Sequence, residues 1–113
     1  MERKFFDEVV VDNYEGNKST MRLTYYLLTK PLDENFCDLK VYGVEIVKHV
    51  IYKTGEQEKE RKLIDDLFFE KKEAVNFIYK LAKNTVTPMG LKYVLHDYIE
   101  EQIKIKTPER ISK

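Results

Sequence analysis

Glu70-Lys-Lys-Glu-Ala-Val-Asn-Phe-Ile-Tyr-Lys-Leu-Ala-Lys-Asn84, then Thr85-Val-Thr-Pro88, then Met89-Gly-Leu-Lys-Tyr-Val-Leu-His-Asp-Tyr-Ile-Glu-Glu-Gln102 is the stretch whose reading decides the fold. Val75, Ile78, Leu81 and Ala82 recur at helical spacing, and so do Leu91, Val94, Leu95, Tyr98 and Ile99. Each set forms one apolar stripe with charge opposite. Thr87 before Pro88 is a helix start: a capping hydroxyl, then a residue that needs no amide hydrogen in the first turn. The spacing therefore predicts a helical hairpin over 70–102. Two short amphipathic helices need a flat apolar surface to cover, and the residues before them read as a sheet.

Upstream, residues 3–12 hold Phe5, Phe6, Val9, Val10 and Val11 and read as a strand interrupted by Asp7 and Glu8. Gly16 and Asn17 mark a turn. Residues 20–29 alternate, with Met21, Leu23, Tyr25 and Leu27 on one side and Arg22, Thr24, Tyr26 and Leu28 on the other. Lys30-Pro31 through Asp38 reads as a loop. Residues 39–53 form a long strand with Tyr42, Val44, Ile46, Val50 and Tyr52 on one face, and Gly43 suggests a bulge or a close contact. Thr54-Gly55-Glu56 is a hairpin signal. Leu63, Ile64, Leu67 and Phe68 fit either a helix or a returning strand. The expectation is α+β: a three- to four-stranded antiparallel meander followed by a C-terminal two-helix hairpin packed on one face. One domain spans 1–113, with the sheet over about 3–68 and a frayed tail over 103–113.

The expected core is Leu23, Tyr25, Leu27, Tyr42, Val44, Ile46, Val75, Ile78, Leu81, Leu91, Val94, Leu95 and Tyr98. Twenty basic and twenty acidic side chains cancel, which argues against whole-molecule attraction to nucleic acid or anionic lipid. No apolar run approaches the roughly 20 residues of a membrane span. Met1-Glu-Arg-Lys4 does not open a signal peptide. A single cysteine, Cys37, excludes an internal disulfide and fits a reducing compartment, so a cytoplasmic location is expected.

The chemistry candidates are weak. Cys37 has no local base or helix N-terminus to form thiolate and reads as a structural thiol. His49 and His96 lack the close-spaced partners of a zinc site, and no metal or other cofactor is expected. Asp65-Asp66 on a strand point to opposite faces, and Glu100-Glu101 on a helix lie about 100° apart; neither reads as an acid/base pair. Gly16, Gly43, Gly55 and Gly90 form no phosphate loop. The hairpin raises the question of a helix-turn-helix, but only Lys92 is basic before Asp97, Glu100 and Glu101.

Tyr25-Tyr-Leu-Leu28, Tyr42-Gly-Val-Glu-Ile46 and Asn84-Thr-Val-Thr-Pro88, with Leu91, Asp97 and Tyr98, resemble a small uncharacterised family of clostridia and related Firmicutes over about residues 20–100. That resemblance implies a bacterial, cytoplasmic protein and favours a strand at 58–68. It implies no catalytic residues.

The leading functional reading is a non-enzymatic interaction or regulatory protein that works through protein–protein contacts. The alternative is a nucleic-acid-associated regulator using the helical hairpin. A small-ligand site would draw on Tyr25, Tyr42, Tyr52 and Glu45. The helices can cover only one sheet face, yet the other set is not cleanly polar: Tyr26, Leu28, Val41, Val47 and Ile51, joined by Phe6 and Val10 or by Phe5 and Val9 according to register. This set is the expected partner or homodimer face, unless loop 30–38 or tail 103–113 folds over it.

Overall fold

The computed structural model describes the backbone of residues 1–14, 19–33 and 36–106, and the side chains of all of these except 36–38 and 105–106. Four strands run in the order β1 (Glu2–Tyr14), β2 (Ser19–Asp33), β3 (Phe36–Ile51) and β4 (Gln57–Phe68), and each pairs antiparallel with the next. Helix α1 (Lys71–Lys83), a 3-10 turn (Pro88–Gly90) and helix α2 (Leu91–Lys106) follow. The thinnest dimension is 16 Å, that of a sheet with one helical layer. The expected α+β meander and hairpin are present, and the ambiguous stretch before the hairpin is a strand.

Three boundaries differ from the sequence reading. Residues 30–33 extend β2, and Pro31 stands opposite Lys40. Strand β1 reaches only to Glu2 opposite Thr29, so beyond that point β2 has no β1 neighbour whose ladder a proline would interrupt. Residues 36–38 extend β3 on the same ribbon. Residues 103–106 continue α2, so the expected tail begins no earlier than 107, outside the described residues.

The core lies between α1 and one sheet face. Met21, Leu23, Tyr25 and Leu27 of β2 face Val44, Ile46 and Val50 of β3, and all are buried. Helix α1 sets Ala74, Phe77, Ile78, Leu81 and Ala82 into this face. Burial of the larger aliphatic and aromatic side chains among these contributes about 1.5–3 kcal/mol each. Phe77 also joins a ring cluster with Phe68 (centroids 5.6 Å apart) and Tyr98 (5.0 Å) that ties β4, α1 and α2 together. Tyr42, Val75, Val94, Leu95 and Tyr98, expected as core, are half-buried. Beyond Leu91, α2 leans on α1 and the ring cluster, and its outer residues Tyr93, Ile99 and Ile103 are exposed.

Between the helices the chain reverses tightly. The Val86 N–H donates to Leu81 O at 3.0 Å and the Thr85 N–H to Ala82 O at 3.1 Å, the two bonds of a Schellman C-terminus. From the sheet, the Tyr25 hydroxyl donates to Val86 O at 2.8 Å, so the reversal is fastened to the middle of β2. Thr87 stands at the start of the 3-10 turn as expected, but its side chain makes no capping hydrogen bond.

Candidate protein-binding face

Two irregularities shape the face that α1 does not cover. In β1, Phe5 pairs with Tyr26 and Asp7 with Tyr25, so Phe6 is an extra residue, a bulge. The alternation therefore breaks in mid-strand. Phe6 and Val9 both turn to the core, while Phe5 and Val10 stay on the uncovered face, 57% and 48% exposed. Neither of the two regular registers places these four residues correctly.

In β4, Ile64 pairs with Val44 but Phe68 pairs with Tyr42, so residues 65–67 loop out opposite Gly43. A Cβ on Gly43 would lie 2.1 Å from Ile64 O and 2.5 Å from Asp65 Cα. Gly43 pairs with Leu28, so the missing Cβ would point to the uncovered face. The β4 backbone thus folds over that face at this row. Lys30 reaches Asp65 at 3.3 Å across it. Leu28 and Val41 are consequently buried, at 1% and 5% exposure. Of the expected partner face, Tyr26 and Val47 are half-buried and Ile51 is exposed. All five residues share the face, but the bulge of β4 covers two of them. That is a cover which neither the 30–38 loop nor the 103–113 tail was needed to supply.

The open remainder is organised around Glu45. Its carboxylate, 3% exposed, accepts Arg3 Nε on Oε1 and Arg61 Nε on Oε2, each at 2.7 Å. Arg3 comes from β1 and Arg61 from β4, so the three side chains span all four strands. The Arg3 guanidinium lies 3.7 Å from the Tyr26 ring centroid, and Phe5 meets the same ring edge-on, with centroids 6.4 Å apart. A carboxylate this deep is tolerable only because both oxygens are matched by cations. The two arginine side chains are themselves 49% and 63% accessible. Beside them is a shallow cleft of about 380 Å³ lined by Arg3, Val47, Lys59, Glu60 and Arg61.

The sequence reading noticed Glu45 but missed Arg3 and Arg61. One signal was available: an acid between Val44 and Ile46, in the middle of a long strand, requires cationic partners from its neighbours. The tyrosines grouped with Glu45 are elsewhere. Tyr25, Tyr42 and Tyr52 lie on the core side of the sheet, so the sheet separates them from Glu45 and the proposed ligand cluster does not form. His49 is half-buried, with Nε2 2.8 Å from Gln57 Oε1. The Cys37 backbone belongs to β3; its side chain is outside the described residues. Asp65 pairs with Lys30, and Asp66 is exposed. Glu100 and Glu101 are both exposed on α2. His96, Asp97 and Glu100 bring one ligand atom each within 4.8 Å, all exposed, on a helix surface open to water. The outer face of α2 mixes Lys92 with these acids and carries no basic stripe among the described residues. No helix there is long and apolar enough to cross a membrane.

A family model described as a family of unknown function, DUF6514, matches residues 7–101. No curated protein and no solved structure matches the chain.

Proposed function

The chain belongs to the DUF6514 family of unknown function, and we propose that it is a small non-enzymatic interaction or regulatory protein whose working surface is the open sheet face. One observation carries the reading: on the side without helices, Phe5, Tyr26 and Val47 surround arginines already fixed in place by a buried glutamate. Aromatic and arginine side chains dominate binding hot spots. Side chains immobilised before binding lose less entropy on docking. The surface is shallow and holds no acid–base pair of opposed environments, so it suits a macromolecule better than a small substrate.

The occupant is a second copy of the chain or another protein. The lone Cys37 and the likeness to clostridial and related Firmicutes proteins direct the proposal to the cytoplasm of such bacteria. The test is light scattering coupled to size exclusion, together with affinity purification from the source cells, on the wild type and on Tyr26→Asp. Expected is a dimer or a stoichiometric protein partner that Tyr26→Asp abolishes while its fold is retained. A monomer whose bound proteins are the same with and without the substitution would overturn the reading.

A further inference from the structure

We propose that the open face docks an acidic protein segment, with one aspartate or glutamate carboxylate seated between the guanidinium groups of Arg3 and Arg61. This inference rests on the reading of that face as a protein-binding surface and names the chemistry of the partner.

Glu45 brings one negative charge against two positive ones and engages each arginine through Nε. Among the described residues no other ion pair involves either guanidinium. The Nη edges are thus left with donors and with a surplus positive charge. A guanidinium edge matches a carboxylate in a two-point fork. Lys59 adds a third cation two residues along β4 from Arg61; Glu60, the one acid that lines the cleft, is paired with Lys48 at 3.9 Å, and Val47 supplies the apolar part of the lining. The other cations of this face are already matched: Arg22 by Glu8 at 3.3 Å and Lys30 by Asp65 at 3.3 Å. The positive surplus is therefore local to the cleft, in a chain whose net charge is zero.

The burial of Glu45 has a second consequence. A hydrophobic residue at this outward position would be as compatible with stability as a buried ion triad. What the glutamate adds is orientation: it holds two arginines from opposite sheet edges towards one point. Phe5 and Tyr26 beside that point supply apolar contact for the residues flanking the partner's acid.

The experiment titrates the full chain with a capped tetraglutamate peptide and follows the arginine Nε–Hε signals by NMR, with inorganic phosphate at matched ionic strength in a parallel arm. Expected are saturable shifts of the Arg3 and Arg61 signals, and a dissociation constant raised about tenfold or more by Arg61→Gln and by Arg3→Gln. Lys104→Gln, remote on α2, leaves it unchanged. Should a glutamine variant lose the fold, Arg61→Lys keeps the charge, loses the fork and still weakens binding. No saturable shift up to about 10 mM peptide, or equal shifts at all arginines, overturns the proposal. So does phosphate binding with equal affinity, which would make the cleft a general anion site. If peptide binding fails while Tyr26→Asp still abolishes the dimer or the captured partner, only the acidic chemistry is wrong. If both fail, the protein-binding reading falls with it.

Discussion

Thr85 holds φ at 51°, in the left-handed region, at the position where a Schellman helix end ordinarily carries glycine. For a β-branched residue this conformation is strained by about 1–2 kcal/mol. Replacing Thr85 by Gly should relieve the strain, less what the freer unfolded chain takes back. The expected outcome is a gain of about 1 kcal/mol, read as a higher denaturation midpoint at unchanged slope. Tyr25, across the same turn, is expected to behave oppositely. Tyr25→Phe leaves the buried Val86 carbonyl unpartnered and should cost about 1–3 kcal/mol. Burial, and secondarily the charge of Asp7, push the Tyr25 phenol well above its ordinary value. Burial, and then Glu73 and Glu101, push Tyr98 up as well. Raised pKa values mean that both groups stay protonated in the folded chain while the unfolded chain releases its protons near pH 10. Their contribution is complete below about pH 10 and is lost as pH rises beyond it. Thermal denaturation between neutral and strongly alkaline pH checks this, and Tyr25→Phe should flatten the decline. Thr87→Ala should cost only a few tenths of a kcal/mol, below the usual cap value of about 1 kcal/mol, because the hydroxyl makes no capping bond.

At the scale of elements, regular periodicity was readable and its interruptions were not. The alternation of Met21, Leu23, Tyr25 and Leu27 assigns the core face of β2 correctly. The stripe on α1 is legible at Ile78, Leu81 and Ala82, which are buried; Val75 is only half-buried, and Ala74 and Phe77, both fully buried, lie outside the stripe that spacing picks out. Ala74 and Phe77 precede Val75 and Ile78 by one residue each, so spacing alone leaves the edge of the face ambiguous. Phe77→Ala should cost about 3–5 kcal/mol by urea denaturation, since it removes both core volume and the ring cluster. The two bulges were beyond reach for a different reason. An extra residue is defined by its partner strand, and Phe6 differs from Phe5 only by what stands opposite. Gly43 was the one local sign of such a feature. Gly43→Ala should cost about 1–3 kcal/mol, towards the upper end because the new Cβ meets backbone atoms of Ile64 and Asp65, which cannot rotate away. The clamp on Glu45 was hidden similarly, since Arg3, Glu45 and Arg61 are far apart in sequence and meet only when the strand register is set.

At the scale of the whole molecule, the described residues leave one sheet face and both sheet edges uncovered, and such surfaces invite indiscriminate association. The edges carry their own protection. Strand β1 is bulged at Phe6 and studded with Glu2, Arg3, Lys4, Asp7, Glu8 and Asp12; strand β4 is bulged at 65–67 and reads Glu58-Lys-Glu-Arg-Lys62. Bulges and charges of this kind discourage edge-to-edge pairing. The uncovered face is protected differently, because the β4 bulge buries Leu28 and Val41 and ion pairs cross much of the rest. Of its apolar residues Phe5, Val10 and Ile51 stay exposed, and Phe5 groups with the half-buried Tyr26 and Val47 in a patch around the arginines. Association should therefore run through this patch and not through an edge. If the chain dimerises, light scattering at micromolar concentration should give a mass near twice 13.5 kDa. Phe5→Lys, on an exposed residue of the patch, should return it to monomer with little change in thermal midpoint. Val10→Lys, which is also exposed on β1 but two rows away, should leave the dimer intact. If Val10→Lys splits the dimer and Phe5→Lys does not, the contact lies towards the far end of β1 and the clamp plays no part in it. Leu28 cannot serve as such a probe: a lysine there would break the fold before it reached any partner.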